Sequence, residues 1–152
     1  MKPTSSTRAE TRLPRIALTS GEPAGVGPDI CLALTRMDFD CELVCLADRG
    51  LLEERARVLG FEVEFLAYDP AAPRQHKQGS LVVLDSPLSA PVVAGKPDKR
   101  NASTVVGMLD RAIDGCLSGE FQAMVTAPVQ KSAITEGGIP FSGHTEYLAA
   151  RT

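Results

Sequence analysis

The chain is 152 residues long and 43% hydrophobic, enough for one domain built around a core and unlike the composition of a disordered protein. Its 16 Lys and Arg against 19 Asp and Glu give a net charge of −3, which offers no long-range attraction to phosphate backbones or anionic lipid and argues against nucleic acid and membranes as partners. No apolar run approaches the ~20 residues that span a bilayer, and the first residues lack the hydrophobic stretch of a signal peptide, so a cytoplasmic location is expected.

Residues 1–14, polar and rich in Ser and Thr, read as a flexible tail, and 15–152 as one α/β segment. Arg15 to Thr19 reads as a first strand, and Pro28 to Leu34 as a helix opened by a proline whose fixed φ suits the first turn. Glu42 to Ala47 is a second strand; Asp48 then caps a helix that runs to Gly60, its C′ residue. Phe61 to Leu66 alternates apolar and polar, the pattern of a strand buried on one face. The four cysteines, Cys31, Cys41, Cys45 and Cys116, sit among aliphatic residues and read as buried free thiols. Cys41 and Cys45, four residues apart along an extended chain, are about 13 Å from each other, too far to bridge or share an ion.

Tyr68 to Gly79 carries Pro70, Pro73, Arg74 and Lys77 and reads as a solvated loop, with His76 exposed in it. The apolar run Leu81 to Leu84 follows, then a second proline-rich stretch ending at Gly95-Lys96-Pro97. Between Asp98 and Ser118 the apolar positions, from Ala102 and Val105 to Ile113 and Leu117, keep the 3.6-residue period of a helix, which Gly119 closes. Phe121 to Thr126 is a strand and Val129 to Glu136 a short helix; after Gly137-Gly138, residues 141–146 open another helix that stops almost at once. Strands alternating with crossover helices point to a mainly parallel sheet covered on both faces.

Two segments sit where such sheets gather ligand-binding loops, at the carboxyl ends of strands. In Gly21-Glu-Pro-Ala-Gly-Val-Gly27 the glycines permit close backbone approach, and the helix start behind them offers free amides suited to an anion, although the spacing is neither a dinucleotide fingerprint nor a P-loop. Taken alone, such a segment is a glycine-rich strand-to-helix turn. Lys131, His144 and Thr145 supply a fixed cation, a switchable imidazole and a neutral hydroxyl, the groups a phosphorylated or carboxylated substrate requires. Their plainer reading is a solvated lysine and a capped helix start, but His144, flanked by glycine and a polar run, is hard to explain as core. The glycine turn and the His144-Thr145 couple are expected to face one pocket.

Ile16 to Asp29, Gly95-Lys-Pro97 with Asn101 beyond it, Gly119-Glu-Phe121, Val125 to Lys131 and Ile139 to Glu146 together resemble, in order and spacing, the 4-hydroxythreonine-4-phosphate dehydrogenase family of vitamin B6 synthesis. The resemblance runs from about Arg15 to the end of the chain. It implies an α/β fold, the N-terminal part of a two-domain architecture like that of isocitrate and isopropylmalate dehydrogenases, with the active site in the interdomain cleft of a homodimer. The implied reaction is oxidation of 4-phosphooxy-L-threonine, a small phosphorylated hydroxy amino acid, by NAD or NADP, followed by decarboxylation. The resemblance implies a divalent metal as well (Zn, Mg or Co), which polarises the hydroxyl being oxidised.

Carried onto this chain, the Gly-His-Thr-Glu motif makes His144 and Thr145 substrate contacts, and Lys131 matches the lysine after the Thr-Ala-Pro segment. Gln130 stands where many members carry Asn or His, and the family's metal-binding histidines lie beyond the position matching Thr152. By that reading the chain by itself holds no metal ligands and is inactive. The alternatives are a non-catalytic truncated anion-binding or dimerisation module and, against the grain of the Gly-His-Thr-Glu and Gly-Glu-Pro-Ala-Gly segments, a phosphate acetyltransferase of similar fold that uses coenzyme A.

Overall fold

Strands that are apolar on both faces belong in the middle of a parallel sheet, and two such strands hold the centre here. The structure, a computed structural model, describes residues 12–152, so most of the expected tail lies outside the described residues. Strands β1 (Arg15–Thr19), β2 (Glu42–Ala47), β3 (Glu64–Ala67), β4 (Ser80–Asp85) and β5 (Ala123–Thr126) form one sheet in the order β3-β4-β2-β1-β5. Every neighbouring pair is parallel. Helices α1 (Gly27–Ala33) and α2 (Arg49–Leu59) cover one face, and α3 (Ala102–Leu117) covers the other; α4 (Lys131–Glu136) and α5 (His144–Arg151) follow β5.

Side-chain alternation divides the core in two. Ala17, Val44, Leu46 and Val82 point to the face packed by Val105, Val106, Leu109 and Ala112 of α3. Leu18, Leu43, Cys45 and Val83 point to the other face, against Cys31, Leu32, Leu52 and Ala56. Each apolar side chain buried this way contributes on the order of 1.5–3 kcal/mol, so the two layers rather than helix propensity hold the helices in place.

The caps expected for α2 are present: Asp48 Oδ1 accepts from the Leu51 amide at 2.8 Å, and Gly60 ends the helix at φ 71°. Several boundaries shift. Phe61 does not begin β3 but lies under the Arg36 guanidinium, 4.2 Å from its ring centroid, and the strand starts at Glu64. Phe121 is not part of β5; its ring fills the space over Gly115 of α3, where a Cβ would collide with it. A 3₁₀ turn, Lys99–Asn101, precedes α3, with Asp98 accepting from the Arg100 amide at 2.9 Å.

Two expectations need correcting. His76 is buried, because its loop folds back beneath the end of α1 and its Nε2 donates to the Leu34 carbonyl at 2.9 Å, beside the Phe39 ring. Of the four free thiols only Cys31 and Cys45 are buried; Cys41, just before β2, and Cys116 are half-buried. Contact with Cys31 and burial together hold the Cys45 thiol well above its usual range.

The amino-terminal end of the sheet is closed by ionic groups. Arg15 and Glu42 face each other across β1 and β2, form a salt bridge, and are 3% and 1% exposed. Glu42 also accepts from the Arg74 amide at 3.1 Å, Arg15 donates to the Pro70 carbonyl at 3.2 Å, and the guanidinium lies 5.1 Å from the Tyr68 ring centroid. The Tyr68 hydroxyl donates to Glu120 at 2.7 Å; burial and this bond push its pKa up to about 12. Removing one member of a buried pair strands the other charge. Arg15→Met is therefore expected to cost about 3–5 kcal/mol in urea unfolding, and Arg15→Met with Glu42→Leu to recover most of that loss. A single variant as stable as the parent would show that the pair is not part of the core.

Candidate functional site

The chain leaves β1 toward β2 over one face and arrives at β5 by way of α3 on the other, so the β1/β5 boundary is where connections diverge and a crevice opens. The two exits are bonded to each other. The Ala127 amide donates to the Thr19 carbonyl at 2.9 Å, and the Glu22 amide to the Pro128 carbonyl at 2.9 Å. Gly21 has φ 71°, and a Cβ there would run into the Pro128 carbonyl oxygen; one at Gly27 would run into the Ser20 carbonyl oxygen. The turn is glycine-rich because two backbones and a helix start occupy the space of side chains.

A third segment closes the crevice. The Gly95 amide donates to the Ala24 carbonyl at 2.8 Å, and Asn101, 2% exposed, accepts from the Ser89 and Ala90 amides at 3.0 and 2.8 Å and donates back to the Ala90 carbonyl at 3.2 Å. The result is a cavity of about 240 Å³ lined by Glu22, Gly25, Gly95, Pro97, Pro128 and Gln130 among others. The anion expected at the turn meets a different arrangement. Glu22, 7% exposed, turns its own carboxylate to the Ala24 amide at 3.0 Å, and burial raises its pKa, with Asp98 adding to the rise against that hydrogen bond. Sequence reasoning missed Glu22; an acid between Gly21 and Pro23 in a strand-to-helix turn was the available signal.

The expected substrate contacts lie one step along the chain. Lys131 opens α4 and His144 opens α5, and they meet around Gly143, where a Cβ would stand 3.4 Å from Lys131 Nζ and 2.7 Å from Glu146 Oε2. Lys131 makes no ion pair among the described residues. His144 is half-buried, its ring set edge-on to Phe141 with centroids 6.0 Å apart, and its Nε2 is buried without a hydrogen-bond partner among the described residues. Thr145 is exposed in the first turn of α5. α5 is tied to α3 by Tyr147 and Arg151, which both donate to Asp110, and by Arg151 to Asp114 at 3.2 Å; the helix runs from His144 to Arg151 and is longer than expected. The cavity that Gly25 lines reaches Gln130 but not Lys131, His144 or Thr145, so the glycine turn and the His144-Thr145 couple do not share the one pocket expected of them. Thr19, at the end of β1, also has a buried hydroxyl without a partner.

Burial lowers the His144 pKa and the neighbouring Lys131 charge lowers it further, which favours the neutral imidazole. In the unfolded chain it titrates near 6.5, where the folded imidazole still refuses the proton. Stability linked to this group is complete above that pH and falls as pH drops below it. An NMR titration is expected to place His144 below 6.5, and Lys131→Met to raise the value only part of the way, because burial is the larger cause. Gly27→Ala, which pushes α1 off the Ser20 carbonyl, is expected to cost about 1–3 kcal/mol in thermal unfolding.

Among the described residues no three His, Cys, Asp or Glu side chains converge as metal ligands, and no helix is long and apolar enough to cross a membrane. Residues 39–152 match the family model described as pyridoxal phosphate biosynthetic protein PdxA. The curated 4-hydroxythreonine-4-phosphate dehydrogenases of Chromobacterium violaceum and Pseudomonas aeruginosa are 51% identical over 141 residues and 52% identical over 140. Each match covers 91% of this chain but only 42% and 43% of the relative. Crystal structures of 4-hydroxythreonine-4-phosphate dehydrogenases from Burkholderia phymatum and Klebsiella pneumoniae superpose with TM-scores of 0.81 at 28% and 29% identity, over 91% of this chain and 43% and 44% of theirs. A terephthalate 1,2-cis-dihydrodiol dehydrogenase from Burkholderia xenovorans, at 20% identity and TM-score 0.72 over 92% of this chain and 41% of its own, shares the fold alone. The chain thus spans less than half the length of the proteins it matches, and it belongs to the PdxA family of pyridoxal phosphate biosynthetic proteins.

Proposed function

We propose that this chain is the N-terminal part of a dehydrogenase that oxidises 4-phosphooxy-L-threonine to 2-amino-3-oxo-4-phosphooxybutanoate, which then loses carbon dioxide to give 3-amino-2-oxopropyl phosphate. The observation that carries the reading is the meeting of an unpaired Lys131 with the unpartnered His144 Nε2 at the carboxyl edge of the sheet. Lys131 gives a fixed positive charge for a phosphate or carboxylate oxygen. The neutral His144 presents Nε2 to a hydroxyl or an anionic oxygen, and Thr145 adds an exposed hydroxyl from the first turn of the same helix. Phe141, against the imidazole edge, and the Tyr147 and Arg151 ties to Asp110 hold that donor set in one orientation before a ligand arrives.

NAD or NADP, as hydride acceptor, and a divalent Zn, Mg or Co ion belong to the same reading. The described residues offer no set of three metal ligands, and the glycine turn already spends its Ala24 amide on Glu22, so neither group is assigned to residues of this segment. The missing machinery belongs to the rest of a full-length protein that works as a cytoplasmic homodimer. No feature of the described site favours acetyl transfer from coenzyme A.

The test is nicotinamide reduction followed by absorbance. The full-length protein is expected to reduce NAD or NADP with 4-phosphooxy-L-threonine and a divalent ion, whereas residues 1–152 alone are not. In the full-length protein Lys131→Met is expected to raise KM about tenfold and His144→Ala to lower kcat/KM by about 10- to 100-fold, the range for losing a hydrogen bond to a charged group. Turnover undiminished by both substitutions would rule out these substrate contacts.

A further inference from the structure

Of the two helices that carry the expected substrate contacts, α5 has the weaker hold on the core. α4 buries Ala133 and Ile134, whereas no residue of α5 is fully buried. Along α5 lies a cavity of about 380 Å³ lined by Pro140, Phe141, Glu146, Tyr147 and Ala150 among others. Eight residues are too few to keep a helix in water by themselves. The polar ties that fasten α5 converge on α3. Asp110 Oδ1 accepts from the Tyr147 hydroxyl and from Arg151 Nη1, both at 2.5 Å. The remaining bond, 3.2 Å from Arg151 Nη2 to Asp114, ends on a side chain that is 64% exposed, and so exposed a tie contributes little. α3 is a firm base for these bonds, with Val105, Val106, Leu109, Ala112 and Ile113 in the core. From Asp110 the contacts pass inward. The Tyr147 ring lies 5.4 Å from that of Phe141, and Phe141 stands edge-on to His144, three positions before Tyr147 and on the same side of the helix.

Resting on the substrate reading above, we infer that Asp110 is a positioning residue, which touches no ligand and acts through Tyr147 and Arg151 to place His144 and Thr145 and to keep the imidazole buried. Among the described residues Asp110 bonds to Tyr147 and Arg151 and not to His144, so its hold on the ring runs through the helix. The charged groups at the ring's end of α5 are Lys131, from α4, and Glu146, which share the space over Gly143. Losing Asp110 has two effects of opposite sign. Removing a carboxylate and leaving the Arg151 charge uncompensated disfavours another cation nearby, which lowers a histidine pKa. Releasing α5 exposes the ring and takes it away from Lys131. Burial first and Lys131 second hold the His144 pKa down, so release lets it climb toward 6.5. A rise is the mark of positioning, and a fall the mark of charge alone.

An NMR titration of His144 in this chain decides it, with His76 as the internal check, because that ring is buried against the end of α1 on the other face of the sheet. In Asp110→Ala the His144 pKa is expected to rise toward 6.5 while the His76 resonance stays where the parent has it. Asp110→Asn, which still offers an acceptor oxygen, is expected to stay close to the parent. Tyr147→Phe combined with Arg151→Met cuts the same ties from the α5 side and leaves α3 intact, so it serves if Asp110→Ala disturbs the whole fold and His76 moves too. The same rise is expected there. A His144 pKa unchanged or lowered in that double variant, or in Asp110→Ala with His76 in place, overturns the inference. In the full-length protein Asp110→Ala is expected to lower kcat/KM by about 10- to 100-fold and Asp110→Asn to keep most of it, as for a displaced substrate contact. Turnover undiminished in Asp110→Ala also overturns the inference. A full-length protein that reduces no nicotinamide in any form sinks the activity reading alone, and the titration still judges Asp110.

Discussion

The contact on which the rest of this structure depends is the one between two backbones at the exits of β1 and β5. Thr19 and Glu22 on one side and Ala127 and Pro128 on the other exchange hydrogen bonds where no Cβ fits, and Gly27 presses the start of α1 against Ser20 in the same crowded space. Close approach of main chains fixes where each loop goes next. The Gly95 amide can reach Ala24 and Gln130 can wall the crevice because that junction is rigid, and α4 begins at Lys131 as a direct continuation of it.

The two ends of the sheet are built by different physics. At the amino end, Arg15, Glu42, Tyr68, Arg111 and Glu120 satisfy one another, with bidentate bonds from Arg111 to Glu120 at 2.7 and 2.8 Å, and leave little for a ligand. At the carboxyl end, among the described residues, Thr19 Oγ1 and His144 Nε2 are buried without hydrogen-bond partners and Lys131 makes no ion pair. Buried polar groups cost free energy when unmatched, so a structure that satisfies them at one end and not at the other marks the second as the place where something binds. The PdxA-family relatives that this chain matches are more than twice its length.

What was legible in the sequence was local. The Asp48 cap, the Gly60 stop and the period of α3 are written in neighbouring residues and appear in the structure within a turn of where they were expected. What was not legible depends on partners distant in sequence. His76 is buried against a carbonyl 42 residues away, α5 is tied to α3 through an aspartate 41 residues back, and Phe121 leaves its strand to fill the room over Gly115. The candidate site divides in the same way. Lys131 stands out by type and by its place after a strand, and His144 and Thr145 by theirs at a helix start, whereas the surroundings of Glu22 emerge only when the loop from Gly95 to Asp98 and Pro128 arrive from two separate parts of the chain.

Asn101 gives the crevice an asymmetry. The wall formed by Gly95 and Pro97 is held by the Asn101 amide side chain on the threshold of α3 and by the Gly95 bond to Ala24, whereas the opposite wall is two paired strands. The segment between Ser89 and Asp98 therefore owes its position to side-chain and main-chain bonds outside the ladder, so loss of the Asn101 amide would be expected to loosen that wall while the β1 and β5 side keeps its pairing.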